Sequence, residues 1–235
     1  MLPLKDNVPT RTFPIVTVAI IAVNVIVWIW EFTGTSIQHD VYEYGYYPCK
    51  LDGPCVAPQA INAEVSWYDG AFTSMFMHGG WEHIIFNMLF LWIFGNNVED
   101  ALGKVRFLLW YLAGGLAATA TQTFVTLTFG NLQDASIPNI GASGAVAAVL
   151  GAYLLLLPNA RVLTAFFVIL IFLQEIPAVW FLGFWFLFQL WQGGFSLLYP
   201  EAGGGVAFFA HIGGFVFGML TVHLVARRKP LRPAY

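Results

Sequence analysis

Two residues in this chain have the chemistry of a nucleophile and its base. Ser143 stands in the run Gly141-Ala142-Ser143-Gly144-Ala145 at the mouth of an apolar stretch, and His211 in Ala210-His211-Ile212-Gly213-Gly214 within another. A polar group in hydrocarbon costs free energy unless it is paired or used, so an intramembrane His with a hydroxyl partner is a functional-site hypothesis from the outset. Paired, the imidazole would take the hydroxyl proton as the oxygen attacks a carbonyl. Each residue alone also has a plainer reading. A membrane Ser is often a small packing residue bonded to its own backbone, and a membrane His a structural donor or a proton-relay element.

Composition supplies the membrane. Hydrophobic residues make up 58% of 235 positions and charged residues 10%, with aromatics at 17%, whereas soluble domains carry about a quarter charged residues. The net charge of -3 and the lack of a basic stripe outside Arg227, Arg228, Lys229 and Arg232 exclude nucleic acid as a partner. Apolar segments run over 14 to 33, 83 to 98, 107 to 129, 141 to 157, 177 to 198 and 205 to 226, most of them near the roughly 20 residues that cross a bilayer. The expectation is an all-α bundle of six transmembrane helices. The stretch 162 to 173 is apolar but too short to cross, and it reads as an interfacial or re-entrant piece or an extension of the next helix.

Charge placement fits that count. With six crossings, Lys5, Arg11, Lys104, Arg106, Arg161 and the C-terminal basic cluster share one face, and Lys50 is alone on the other. The positive-inside rule then makes both termini cytoplasmic, and the cell (plasma) membrane is the expected location. The first segment has signal-peptide features but lacks a small-residue cleavage signature, so it reads as a retained helix. A large outer loop, about 34 to 80, holds the two cysteines, Cys49 and Cys55. They would close a small disulfide loop in an oxidising compartment and stay thiols in a reducing one; metal binding by two thiols alone is disfavoured, and no cofactor is expected. Without internal repeat or linker, residues 1–235 read as a single domain.

Depth brings the polar residues together. Measured from Glu99, Arg161 and Arg227 at about 1.5 Å per residue, His83, Ser143 and His211 lie roughly 24, 27 and 24 Å above the cytoplasmic edge. Asn87, one turn below His83, faces the same way. Ser143, Ala147 and Gly151 on one segment and His211, Gly214 and Gly218 on another form small-residue stripes that let helix backbones approach closely.

These residues resemble the motifs of rhomboid intramembrane serine proteases: Gly-Ala-Ser-Gly at 141–144, Ala210-His211 with Gly214 and Gly218, and His83-x3-Asn87 within His78-Gly-Gly-Trp-Glu-His83. The resemblance covers nearly the whole chain. It implies a six-helix core and hydrolysis of membrane-protein substrates by Ser143 and His211. Without an acidic residue in the fourth or sixth span, a dyad is expected, with the oxyanion held by Asn87, His83 and the Ser143 backbone N–H. Substrates would be transmembrane segments with Gly, Ala or Pro near the outer end, entering from the bilayer between Phe86 and an aromatic helix carrying Trp180, Phe184 and Trp185.

Two departures stand out. The Trp-Arg pair frequent in the family's first outer loop is missing, since Trp67 precedes Tyr68, and Ala147 replaces an aromatic that stacks on the base in some members. Tyr153 or Phe208 is expected to position the imidazole instead. Two rival classes remain: a transporter or proton channel, disfavoured by the lack of an inverted repeat and of a carboxylate near His211, and a non-proteolytic rhomboid-like protein that binds membrane clients.

Overall fold

The computed structural model describes residues 1–34, 36–167, 171–199 and 206–231. Apolar stretches become helices because, in hydrocarbon, backbone polar groups must be satisfied within their own segment. α1 (Ile15–Thr33) leads into the loop helices α2 (Ile37–Tyr44), α3 (Pro58–Asn62) and α4 (Trp67–Thr73). α5 (Trp81–Leu102), α6 (Lys104–Phe129), the short α7 (Leu132–Ala135), α8 (Ser143–Leu156), α9 (Ala178–Leu198) and α10 (Phe208–Val225) follow. α1, α9 and α10 are long and apolar enough to cross a membrane. α5 and α6 have 22 and 26 residues but more polar faces, and α8 has only 14.

α8 is the hub. Every residue from Gly144 to Tyr153 is buried, which explains why this helix is apolar all round. Its tightest partner is α10: a methyl group at Gly214 or Gly218 would collide with the carbonyl oxygen of Gly144 or Ala148, and one at Gly151 with that of Phe215. The small-residue stripes therefore bring the two backbones into direct contact.

The end of the bundle away from Ser143 gathers the basic residues. Arg11 pairs with Asp100 at 2.7 Å and donates to the Lys229 carbonyl. The Arg227 and Arg228 N–H groups donate to the Ala101 carbonyl, and Arg106 donates to that of Val225. Glu99 accepts from the Val16 and Thr17 N–H groups and the Thr17 hydroxyl, setting a carboxylate at the first turn of α1 where the helix dipole favours negative charge.

The all-α expectation needs one correction. β1 (Leu2–Asp6), β2 (Arg161–Phe167) and β3 (Ile171–Pro177) form an antiparallel sheet in the order β1-β2-β3. The stretch expected as an interfacial piece or helix extension is a β-hairpin, whose residues 168–170 lie outside those described, as do residue 205 and Arg232. Its aromatic and β-branched content suits a pleated surface, and Phe166 and Phe172 are directly opposed with rings stacked 5.0 Å apart. The missing ingredient was the N-terminal segment, which supplies the third strand. Asp6 ties that strand to the helices, accepting from the Tyr153 hydroxyl at 2.5 Å and the Asn97 amide at 2.8 Å.

The outer loop is fastened to the start of α8. Cys49 and Cys55 are disulfide-bonded, Tyr46 and Asn139 exchange backbone hydrogen bonds at 3.1 and 2.8 Å, and the Gly141 N–H donates to the Ser74 carbonyl at 2.8 Å. Lys50 Nζ donates to the carbonyls of Ala63 and Val65. These contacts anchor a loop that lacks the Trp-Arg pair.

Candidate active site

Ser143 is the first residue of α8, with Ala142 at the cap. Gly141 makes this turn possible. Its φ is +115°, a region that side chains strain, and a methyl group there would stand 2.6 Å from His83 Nε2. Starting a helix at Ser143 leaves the first-turn N–H groups without intrahelical acceptors. They lie beside the hydroxyl.

His211 is in the first turns of α10, whose start is held by Gln122 of α6, the acceptor for the Phe209 and Ala210 N–H groups at 3.1 and 3.2 Å. Close packing of α8 and α10 puts His211 Nε2 2.8 Å from Ser143 Oγ. For Nε2 to accept the Ser143 proton, Nδ1 must carry the other, and Nδ1 lies 2.8 Å from Gln189 Oε1 on α9. Gln189 is 6% exposed.

His83 and Asn87 face the same space from α5. The Gly79 N–H donates to His83 Nδ1 at 3.3 Å, so the neutral ring carries its proton on Nε2, the nitrogen nearest Gly141. Asn87, 5% exposed, donates to the His83 carbonyl at 3.0 Å. The ring of His78, in the loop before α5, lies edge-on to His83 at 4.9 Å. Burial holds the His78 imidazole down at about 3, reinforced by the neighbouring His83. That ring is neutral at physiological pH.

A cleft of about 930 Å³ opens over the pair, lined by His83, Phe86, Asn87, Ser143, Trp185 and His211 among others. The structure thus brings together Ser143, His211, His83 and Asn87 from three helices. Of the four side chains expected at a gate, Phe86 and Trp185 line the cleft, while Trp180 and Phe184 are 72 and 57% exposed and outside its lining. The ring expected against the imidazole needs correction. Tyr153 is occupied by Asp6 and packs edge-on to Phe94, and Phe208 packs toward Gly193. Trp185 takes that place, its centroid 5.9 Å from that of His211. Gln189 was overlooked. The available signal was an amide one turn beyond Trp185 in a strongly apolar helix, where a polar side chain must find a partner.

Fold and site together describe a helical membrane bundle with a Ser–His pair at the edge of a cleft. The Rhomboid domain pattern matches residues 66–228, and the chain belongs to the rhomboid family. Rhomboid protein 1, mitochondrial, of Saccharomyces cerevisiae is 31% identical over 154 residues, covering 63% of this chain and 39% of that protein. The rhomboid protease GluP of Bacillus subtilis is 37% identical over 95 residues, 40% of this chain and 17% of that one. Presenilin-associated rhomboid-like protein A, mitochondrial, of Danio rerio is 35% identical over 88 residues, 37% and 22% respectively. The chain thus spans well under two thirds of the length of these relatives. The family includes intramembrane serine proteases.

Proposed function

We propose that this rhomboid protein is an intramembrane serine endopeptidase that uses Ser143 as nucleophile and His211 as base. The observation that carries the reading is the 2.8 Å approach of His211 Nε2 to Ser143 Oγ beside a cleft that Asn87 and His83 also line. His211 takes the hydroxyl proton as Oγ attacks a substrate carbonyl carbon. The tetrahedral oxyanion is held by the Ser143 N–H, the Asn87 amide and His83 Nε2–H. The C–N bond then breaks, His211 returns the proton to the leaving amine, and water hydrolyses the acyl ester to restore Ser143.

In this reading α1, α5, α6, α8, α9 and α10 all cross the bilayer and residues 1–235 act as one domain. The end holding Arg11, Arg106 and Arg227 faces the cytoplasm, and the disulfide-bonded loop faces an oxidising exterior. We assign the protein to the cell membrane. Substrates are transmembrane segments unwound by Gly, Ala or Pro near their outer ends, entering past Phe86 and Trp185.

The test combines labelling with cleavage. The reconstituted full chain should react with a fluorophosphonate and cut a transmembrane reporter, and Ser143→Ala should abolish labelling and slow cleavage on the order of 10³-fold or more. Labelling that survives Ser143→Ala would overturn the nucleophile. A parental chain that retains the reporter without cutting it would favour a client-binding role.

A further inference from the structure

The base has a second hydrogen-bond partner, and it comes from neither helix of the Ser–His pair. Gln189 Oε1 stands 2.8 Å from His211 Nδ1, and Trp185, one turn earlier on the same helix, lays its ring against the imidazole. Both nitrogens of the ring are therefore occupied, Nε2 by Ser143 and Nδ1 by Gln189. An imidazole with only the serine contact has two tautomers and a free rotation about its side-chain bonds, and only the tautomer protonated on Nδ1 has a lone pair on Nε2 for the serine proton. An acceptor fixed at Nδ1 selects that tautomer and the ring orientation together. A buried carboxylate would do so at the cost of placing a charge in hydrocarbon. An amide oxygen does it as a neutral group.

We propose that Gln189 is the positioning residue of the base: its amide oxygen holds His211 in the Nδ1-protonated tautomer from which Nε2 accepts the Ser143 proton. This deepens the reading given above and rests on it.

The placement on α9 has a consequence. Few residues of α9 are buried, Ala178, Phe181, Leu182, Gln189 and Gly193, and Trp180, Leu187 and Trp191 project outward at 72, 63 and 64% exposure. Gln189 and Trp185 belong to its inward face. The acceptor at Nδ1 therefore comes from a helix that packs on the bundle through few of its side chains.

Three variants at one position separate positioning from mere packing. Gln189→Met keeps length and volume without the amide, and should lower kcat about 10- to 100-fold with KM unchanged. Gln189→Glu restores the acceptor with a charge. It should recover most of that rate and move the acid limb of the kcat–pH profile to higher pH, because a neighbouring anion favours the imidazolium. Gln189→Leu should resemble Met. Parental kcat in Gln189→Met would overturn the proposal, as would equal slowing in all three with an unmoved acid limb, since that pattern belongs to packing alone.

A measurement independent of cleavage keeps this separate from the protease reading. In 15N-histidine-labelled protein, the His211 ring should show the Nδ1–H tautomer, giving way to a mixture in Gln189→Met. An Nε2–H ring in the parental chain would sink the positioning role even if cleavage were intact. A parental chain with the Nδ1–H ring but without cleavage or labelling would sink the protease reading and leave the ring's positioning standing.

Discussion

The bundle contains two polar clusters at opposite ends, and they are finished differently. At the basic end, Glu99 accepts from three donors of α1, and Asp100 binds the Arg11 guanidinium and backbone. These groups are saturated, and their partners cap or join helices. At the other end, Ser143, His211, His83 and Asn87 border an open cleft. Their arrangement leaves first-turn N–H groups of α8 and the Nε2–H of His83 free to meet an arriving group. A closed cluster lowers the energy of the fold itself. An open one retains donors for something else, at some cost in stability.

If that contrast is right, substitutions at the two ends should separate rate from stability. The largest effect is expected at the open end. Asn87→Ala removes a proposed oxyanion donor and should cost about 2.7 to 4 kcal/mol of transition-state stabilisation, read as kcat/KM on a reporter, with thermal unfolding little changed. A parental rate would remove Asn87 from the proposed oxyanion site. At the closed end, Glu99→Gln exchanges a charged acceptor for a neutral amide at the start of α1 and should lose about 1.5 to 3 kcal/mol of stability in denaturant unfolding. Its kcat should match the parent once folded protein is counted by active-site labelling. A fall in kcat larger than the loss of folded protein would mean that the two ends are coupled.

A pH measurement sharpens the comparison further. Burial, partly offset by the Tyr153 hydrogen bond, raises the Asp6 carboxyl from 3.8 to about 6. The folded chain therefore holds a proton there that the unfolded chain releases. Asp6 stabilises the fold fully below pH 3.8, and that contribution drains away as pH rises to about 6. Asp6→Asn should flatten this part of the stability–pH curve, measured by thermal unfolding across pH 4 to 6. An unchanged slope would mean that Asp6 is not the titrating group.

How far these features could be read in advance depended on range. The helical segments were legible because their apolar runs are long and local. The α8–α10 contact was legible because small residues recur at helical spacing on both. The sheet was not: its hairpin has β-forming residues, but its third strand comes from Leu2–Asp6, about 160 residues earlier in the chain. Tyr153 and Phe208 are the rings the sequence offers for His211, but the Tyr153 hydroxyl is taken by that same N-terminal strand and Phe208 packs toward Gly193.

Residue order alone determined the membrane character, the six apolar segments and which side chains share a depth, since these follow from hydropathy and the rise of a helix. Tertiary structure decided what depth cannot specify, namely which neighbour each polar atom meets. A helix places a residue at a height, but the direction it faces and the partner it finds depend on how separate helices rotate and pack. Gln189 at His211 Nδ1, Trp185 against its ring and the first strand beside the hairpin are contacts across such distances. They exist only once the backbones have closed on one another.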